Sequence, residues 1–214
     1  MKLESVQVSK PQVIRYHGED VATSIYKLPI EGRVMLHEHN LEGDEQADLK
    51  VHGGTYKAVY CYPAEHYVYW SQTLGRDDLN YGGFGENFTV SGMLEADVCV
   101  GDIYRVGESM VQVTQARIPC FKLAHKMGIS TFVKDFLTAN KSGFYLRVLE
   151  TGKVGAGDAI TLETRDPVGM SVAELNYLLH FDTGNIDKIK RALTIEGLSP
   201  SWYRSFEKLI PSVL

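Results

Sequence analysis

The chain has little cysteine: three residues, Cys61, Cys99 and Cys120, odd in number and far apart. That excludes a disulfide framework and a Cys-x-x-Cys zinc or redox site, and it leads us to expect a soluble protein of a reducing compartment, the cytoplasm. Long apolar runs are missing too. None approaches the ~20 residues that a membrane-spanning helix needs, and the opening MKLESVQVSK has an early lysine without the apolar centre of an export signal. Nor is there an excess of positive charge. With 22 basic and 27 acidic residues the formal net charge is -5, so no nucleic-acid partner is expected, although a local basic pocket stays open. The regular strand–helix alternation that a parallel sheet requires is also lacking.

What is present is a chain of 214 residues, 44% hydrophobic, long enough for one sizeable core with a small appended unit. Up to about residue 165 short β-type segments alternate with glycine-rich turns: LESVQVS, VATSIYK, GRVMLHEH, KAVYCY, ADVCVGD, DIYRVG, SMVQVTQA, FYLRVLETG and DAITLET. Helical spacing interrupts them in PAEHYVYWSQTLG, with Pro63 read in the first turn, and again in CFKLAHKM and TFVKDFLTA. Many short strands and few helices predict a closed or nearly closed β barrel. After TRDPVG the composition changes. SVAELNYLLHF opens with Ser171 as N-cap and Glu174 as its capping-box partner; NIDKIKRAL is a shorter amphipathic helix; SPSWYRSFEKLI has Ser199 as N-cap and Pro200 at the first helical position. The expected organisation is therefore mixed β/α, with a β-barrel-like domain over 1–167 and a three-helix extension over 168–214. Fewer than ~50 residues rarely fold alone, so the extension is expected to dock on the barrel or on a second subunit, and a homodimer is anticipated.

Three segments could carry chemistry. GDEQADLKVHGGTYKAVYCY gathers Asp44, Gln46, Asp48, His52, Gly53, Gly54 and Lys57. Paired glycines let backbone N–H groups approach a ligand, and Lys57, read just inside the next strand, could pair with an anion; a solvated loop with a turn histidine is the plainer reading. YGGFGENFTVSG places Glu86 and Asn87 where the chain re-enters a strand, a position at which asparagine more often caps a turn. QARIPCFKLAHKMG sets Cys120 at the start of a helix, three residues after Arg117 and two before Lys122. Free N–H groups and positive charge there favour the thiolate, the form that attacks or binds metal. Cys61 and Cys99, in apolar strand contexts, read as small core residues. His37 and His39, read two apart on a strand, could be a metal pair but fit a solvent-facing edge better, and His17, His66, His125 and His180 read as surface or capping residues. Thr23, Ser24 and Lys27 are weaker anion contacts.

Taken in order and spacing, GDEQAD…HGGTYKAVYCY, YGGFGENF…SG, VCVGD, QARIPC and RVLETGKVGAGD resemble the MOSC domain, the molybdenum-cofactor sulfurase C-terminal domain, and the last helices resemble the extension of its YiiM-type members. The resemblance implies a β-barrel core that binds molybdenum cofactor, a pterin dithiolene ending in a phosphate, with Cys120 as the protein thiolate on molybdenum. It makes Arg117, His52, Lys57 and Lys27 phosphate or pterin contacts, and lets Asn87, Gly53 and Gly54 shape the pocket. It further implies reduction of N-hydroxylated compounds, including hydroxylaminopurines, to amines. No flavin, haem or iron–sulfur fingerprint is present, so electrons are expected from a separate flavoprotein. Two other readings stand beside it. One is a carrier of cofactor or sulfur without turnover, which is not expected to generate that sulfur itself, since no upstream pyridoxal-phosphate domain is expected. The other is a cysteine hydrolase or transferase with Cys120 as nucleophile and His52 or His125 as base, although His125 lies roughly 140° around the helix from Cys120.

Overall fold

The computed structural model describes residues 1–47 and 53–211. Eight strands form one mixed sheet: β1 (Lys2–Val8), β4 (Leu28–Pro29), β6 (Val59–Pro63), β7 (Phe88–Ser91), β8 (Ile103–Val106), β9 (Ser109–Ala116), β10 (Phe144–Glu150) and β12 (Ile160–Thr164). Their order is β12-β8-β9-β10-β6-β7-β1-β4. Two pairs stand apart: β2 (Gln12–Tyr16) with β3 (Glu19–Thr23), and β5 (Arg33–Leu36) with β11 (Gly152–Gly155). All pairings are antiparallel except β6 with β7, whose connection carries a helix, α1 (Glu65–Leu74), because parallel neighbours need a crossover.

Of the two expected forms, a closed or a nearly closed barrel, the structure shows the second. The sheet curls until β12 meets β1, where Ile160 N donates to Met1 O at 3.0 Å and Leu3 N to Asp158 O at 2.9 Å. Between these bonds the strands share one isolated bridge, Lys2 to Ala159, and no continuous ladder. The sheet is barrel-like and not closed. The start of β12 is turned toward β1 by the Gly157-Asp158 turn, and its later residues pair with β8 instead. Two local readings change. Pro63 ends β6 and precedes α1, as suits a residue without an N–H at the end of a strand. Cys99 lies in a turn region with one bridge to Ser171 and belongs to no strand.

Two apolar clusters divide the interior. The larger runs from Leu3, Val90 and Val113 of the sheet into Leu175, Ile189 and Trp202 of the C-terminal helices α4 (Val172–His180), α5 (Ile186–Ala192) and α6 (Pro200–Glu207). Those helices therefore bury their apolar stripes against the sheet. They start as their sequences predict: Ser171 Oγ accepts from Glu174 N at 3.0 Å, and Ser199 Oγ from Trp202 N at 3.3 Å with Pro200 next in the chain. The Glu174 carboxylate lies 3.4 Å from Lys188 Nζ on α5, so it also ties two helices together. No helix among the described residues is long and apolar enough to cross a membrane.

The second cluster is aromatic. Tyr60 and Tyr62 of β6, Trp70 of α1, Phe84, and Phe132 and Phe136 of α3 (Phe132–Thr138) stack behind α2 (Phe121–Met127). Trp70 Nε1 donates to Tyr62 Oη at 2.7 Å and Tyr60 Oη to the Ser142 carbonyl at 2.8 Å. These bonds satisfy the polar tips of buried rings. The cluster forms a stiff floor beneath the region described next.

Candidate functional site

A pocket of about 90 Å³ opens above the aromatic floor. Three chain segments bring their residues to it. The first is the end of β3 with the extended run after it, which contribute Thr23, Ser24, Ile25 and Lys27. The second is the pair of loops that supply Asp44 to Ala47 and Lys57, and the third is the β9–α2 junction with Arg117, Cys120 and Lys122. Tyr60, Gly85, Asn87 and Tyr145 complete the lining.

β9 ends at Ala116 and Pro119 precedes Cys120, which holds the N-cap position of α2 in extended backbone geometry. Cys120 is half-buried at the pocket wall, whereas Cys61 is buried in the sheet, where burial pushes its thiol well up. None of the three cysteines is in a disulfide. Arg117 is almost fully buried, with its guanidinium 5.0 Å from the Tyr60 ring centre and 5.5 Å from that of Phe136. Stacking on two rings holds its plane. Its Nη1 is buried with no hydrogen-bond partner among the described residues, and the same is true of Ser24 Oγ. Two orphaned polar atoms in one pocket are costly unless a ligand satisfies them.

The opposite wall is an ion-paired network. Lys27 Nζ lies 2.5 Å from Asp44 Oδ1, and both side chains are buried. Asp44 also accepts from Ser9 N at 2.8 Å and from Asn87 Nδ2 at 2.9 Å, while Asn87 Oδ1 accepts from Tyr60 N at 3.2 Å. Asn87 thus caps strand backbone and orients Asp44 at the same time. Burial lowers the Lys27 pKa, and Asp44 opposes that shift. Beside it, Glu86 is fully buried and accepts from Gly82 N at 2.7 Å, Phe84 N at 3.2 Å and Thr89 Oγ1 at 2.9 Å, as well as from the Tyr67 hydroxyl. Gly85 lets this loop touch the Thr23–Lys27 run: at φ +83° a Cβ there would lie 2.6 Å from Ile25 Cγ1.

Of the residues singled out in the sequence, the structure brings Cys120, Arg117, Lys27, Lys57 and Asn87 to one pocket. Lys57 sits in a one-turn 3₁₀ helix, Thr55–Lys57, before β6 begins, with Nζ 5.9 Å from the Tyr145 ring centre. Gly53 and Gly54 do not line the pocket. Gly54 starts the 3₁₀ turn at φ +91° with open space where a Cβ would be, so the turn requires it and close approach does not. His52 and Asp48 lie outside the described residues. His37 and His39 follow β5 in an exposed turn and are not on the strand. His66 is not a surface residue: its Nε2 lies 2.6 Å from Glu95 Oε2, both buried. His125 is exposed on α2 and outside the lining, which removes it as a base for Cys120.

Sequence reading missed Tyr60 and Tyr145, whose burial raises both phenols, and Lys126. Lys126 Nζ donates to Ile25 O at 2.8 Å and Gly82 O at 2.6 Å, so it ties two pocket loops together from below. Burial, with help from Arg117 and Lys27 and against Glu86, lowers its pKa to about 8. The unfolded chain, with an ordinary lysine pKa near 10.5, therefore binds more protons than the folded one between pH 8 and 10.5, and stability should rise with pH across that window. Chemical denaturation of the wild type and Lys126→Met is expected to show a gap that widens in favour of the wild type from pH 8 to 10; a flat or narrowing gap contradicts it.

Comparisons with known proteins agree with this architecture. Residues 48–161 match the MOSC domain family, and residues 170–212 match the family described as YiiM-like, 3-alpha helix domain. YflK of Bacillus subtilis is 45% identical over 204 residues, covering 95% of this chain and 92% of that protein. A crystal structure of YiiM from Geobacillus stearothermophilus superposes with a TM-score of 0.84 at 35% identity, over 98% of this chain and 99% of the other. A protein of Gibberella moniliformis named Reductase is 35% identical over 165 residues, which span 76% of this chain but 29% of that protein.

Proposed function

We propose, for a chain that belongs to the MOSC domain family and carries the YiiM-like three-helix domain, that it is a molybdenum-cofactor-dependent reductase of N-hydroxylated compounds such as hydroxylaminopurines. One observation carries the reading. The pocket that contains the Cys120 thiol also contains four basic side chains, Lys27, Lys57, Arg117 and Lys122, and the two orphaned polar atoms of Arg117 and Ser24. A dianionic phosphate would satisfy both orphans and draw charge-assisted bonds from the cations. A soft thiolate suits a molybdenum centre. The residues present therefore fit the group, and the similarity to a named reductase supports the reaction class.

In this reading Cys120 would hold the metal, Arg117 and Ser24 would grip the phosphate, and Lys27 and Lys57 would help to balance its charge. Such a cofactor, when bound, would supply the two-electron chemistry that reduction of an N–O bond requires. The chain's own contribution is placement. Arg117 is fixed by two rings before any ligand arrives, so little ordering cost is left for binding. Asn87 and Ser9 keep Asp44 aimed at Lys27, and Tyr60 and Tyr145 exclude water from one side of the pocket. The overall reaction, R–NH–OH with two electrons and two protons to R–NH₂ and water, needs an outside electron source, which we assign to a separate flavoprotein. Cofactor-loaded protein with NADH and hydroxylaminopurine is expected to form amine only when such a flavoprotein is added. Full-rate turnover with NADH alone would remove the separate donor. Loaded protein that forms no amine with any donor would turn the reading to a carrier.

A further inference from the structure

Arg117 is held in the pocket by a turn outside it. Residues 140–143 lead from α3 into β10, and four side chains fix them, one to each residue. Asn140 Oδ1 accepts from Asn176 Nδ2 of α4 at 2.7 Å. The Lys141 carbonyl accepts from Tyr62 Oη at 3.1 Å and the Ser142 carbonyl from Tyr60 Oη at 2.8 Å. Gly143 N donates to Glu95 Oε1 at 2.6 Å, and the Gly143 carbonyl accepts from Arg117 N at 3.1 Å. Gly143 has φ +67°, and a Cβ there would run into the Cys61 carbonyl, so the turn is pressed against β6. Glu95 is itself tethered. Its Oε2 lies 2.6 Å from His66 Nε2 of α1, and its carbonyl accepts from Ala173 N of α4 at 2.8 Å. Both Glu95 and His66 are buried. Neighbouring carbonyls of one turn therefore hold the backbone of Arg117 and the hydroxyl of Tyr60, the ring on which its guanidinium stacks, and both residues line the pocket.

We propose that Glu95, oriented by His66, is a positioning residue for Arg117: it fixes the turn that holds Arg117 and Tyr60, and so keeps the guanidinium aimed at an incoming phosphate. The inference rests on the reading of the pocket as a phosphate site for what Arg117 binds; that Glu95 places Arg117 does not depend on it. A carboxylate suits the task because each of its oxygens accepts, one from the imidazole and one from the Gly143 N–H. Its reach matters more than its charge, since a shorter acid cannot span from His66 to Gly143. A buried carboxylate–imidazole pair is poor support for a fold, because desolvation offsets the attraction between its members. Placement of a binding group gives it a use that stability does not. The plainer alternative is that Glu95 only satisfies two buried donors.

Two substitutions separate these roles. Glu95→Asp keeps the charge and loses a methylene of reach. Glu95→Gln keeps the reach, with its carbonyl accepting from Gly143 N and its amide donating to the neutral tautomer of His66. The full chain, made in a host without the cofactor, is titrated with inorganic phosphate by calorimetry, and crystal structures are compared. Positioning predicts that aspartate moves Arg117 off the Tyr60 ring and raises the phosphate Kd about tenfold, while glutamine leaves Arg117 in place and the Kd within twofold. An aspartate variant in which either stays as in the wild type, even with a lower denaturation midpoint, overturns the proposal and leaves Glu95 a purely structural role. A glutamine variant as weak as aspartate also overturns it, since charge and not reach would then decide. If the wild type binds no phosphate, the phosphate reading fails and the crystal structures alone decide: Arg117 displaced by aspartate supports the positioning role, and Arg117 in place overturns it. Should the aspartate variant fail to fold, Glu95→Ala is measured instead, and loss of the fold in both overturns the proposal.

Discussion

If the proposed function is right, Cys120→Ala should lower turnover of an N-hydroxylated substrate by about 10³-fold or more, because a metal centre worth several kcal/mol at the reacting bond would lose its protein ligand. The substitution should leave the fold intact. Cys120 is half-buried at the N-cap of α2, outside both apolar clusters, and cysteine is not among the residues that cap helices well, so alanine sacrifices little there. A variant that unfolds at the wild-type temperature and has lost turnover is the predicted result. Turnover within tenfold of the wild type would place the chemistry elsewhere. Cys120→Ser adds a further distinction, since a hydroxyl is a poor substitute for a soft ligand. Rescue by serine would argue for a hydrogen-bonding role instead.

The second large effect falls on stability. Glu86→Gln is expected to cost roughly 3 kcal/mol. Both carboxylate oxygens accept bonds: Oε1 from Gly82 N and Thr89 Oγ1 as well as Tyr67, and Oε2 from Phe84 N. An amide must turn its NH₂ toward at least one of these donors, which leaves a buried N–H facing another N–H. The negative charge that supports buried Lys27 and Lys126 is lost as well. Denaturant titration should show a lower midpoint with an unchanged slope. A loss under about 0.5 kcal/mol would mean that the loop rearranges to satisfy the amide, and that Glu86 is not what fixes the pocket's rear wall.

What could be read from the residues was mostly local. Ser171, Ser199 and Pro200 announce their helices because capping is a contact within one turn, and the β9–α2 junction is legible because Pro119 and the amphipathic run after Cys120 are neighbours in the chain. Contacts between distant segments were not. His66 and Glu95 are 29 positions apart, and nothing in either neighbourhood announces the pair. Strand β6 is buried along its whole length, so alternation could not tell which of its faces meets the core and which carries Tyr60 to the pocket. Lys126 looks like a solvated helix lysine until the Ile25 and Gly82 carbonyls are placed over it. Closure of the sheet depends on how far it curls, which strand count alone does not determine. Strand β2 escaped, and VATSIYK caught only the end of β3, because most of the hairpin's residues face solvent, which erases the apolar pattern.

The glycines show the same division. The Gly53-Gly54 pair attracts attention as a ligand cradle, yet Gly54 serves its own turn. Gly85, within the less conspicuous GFGEN segment, allows two loops to pack where any side chain would strike Ile25. Composition marks both as flexible, and only the fold tells which of them borders the pocket.

In the proposed function Cys120 holds molybdenum in a pocket that suits an anionic cofactor. The most direct test is metal analysis of the intact protein produced in a host that makes the cofactor with molybdenum in excess, beside Cys120→Ala prepared the same way. Near-stoichiometric molybdenum in the wild type, and its loss from a folded variant, is the predicted result. Molybdenum absent from both, or retained in full by the variant, would contradict it.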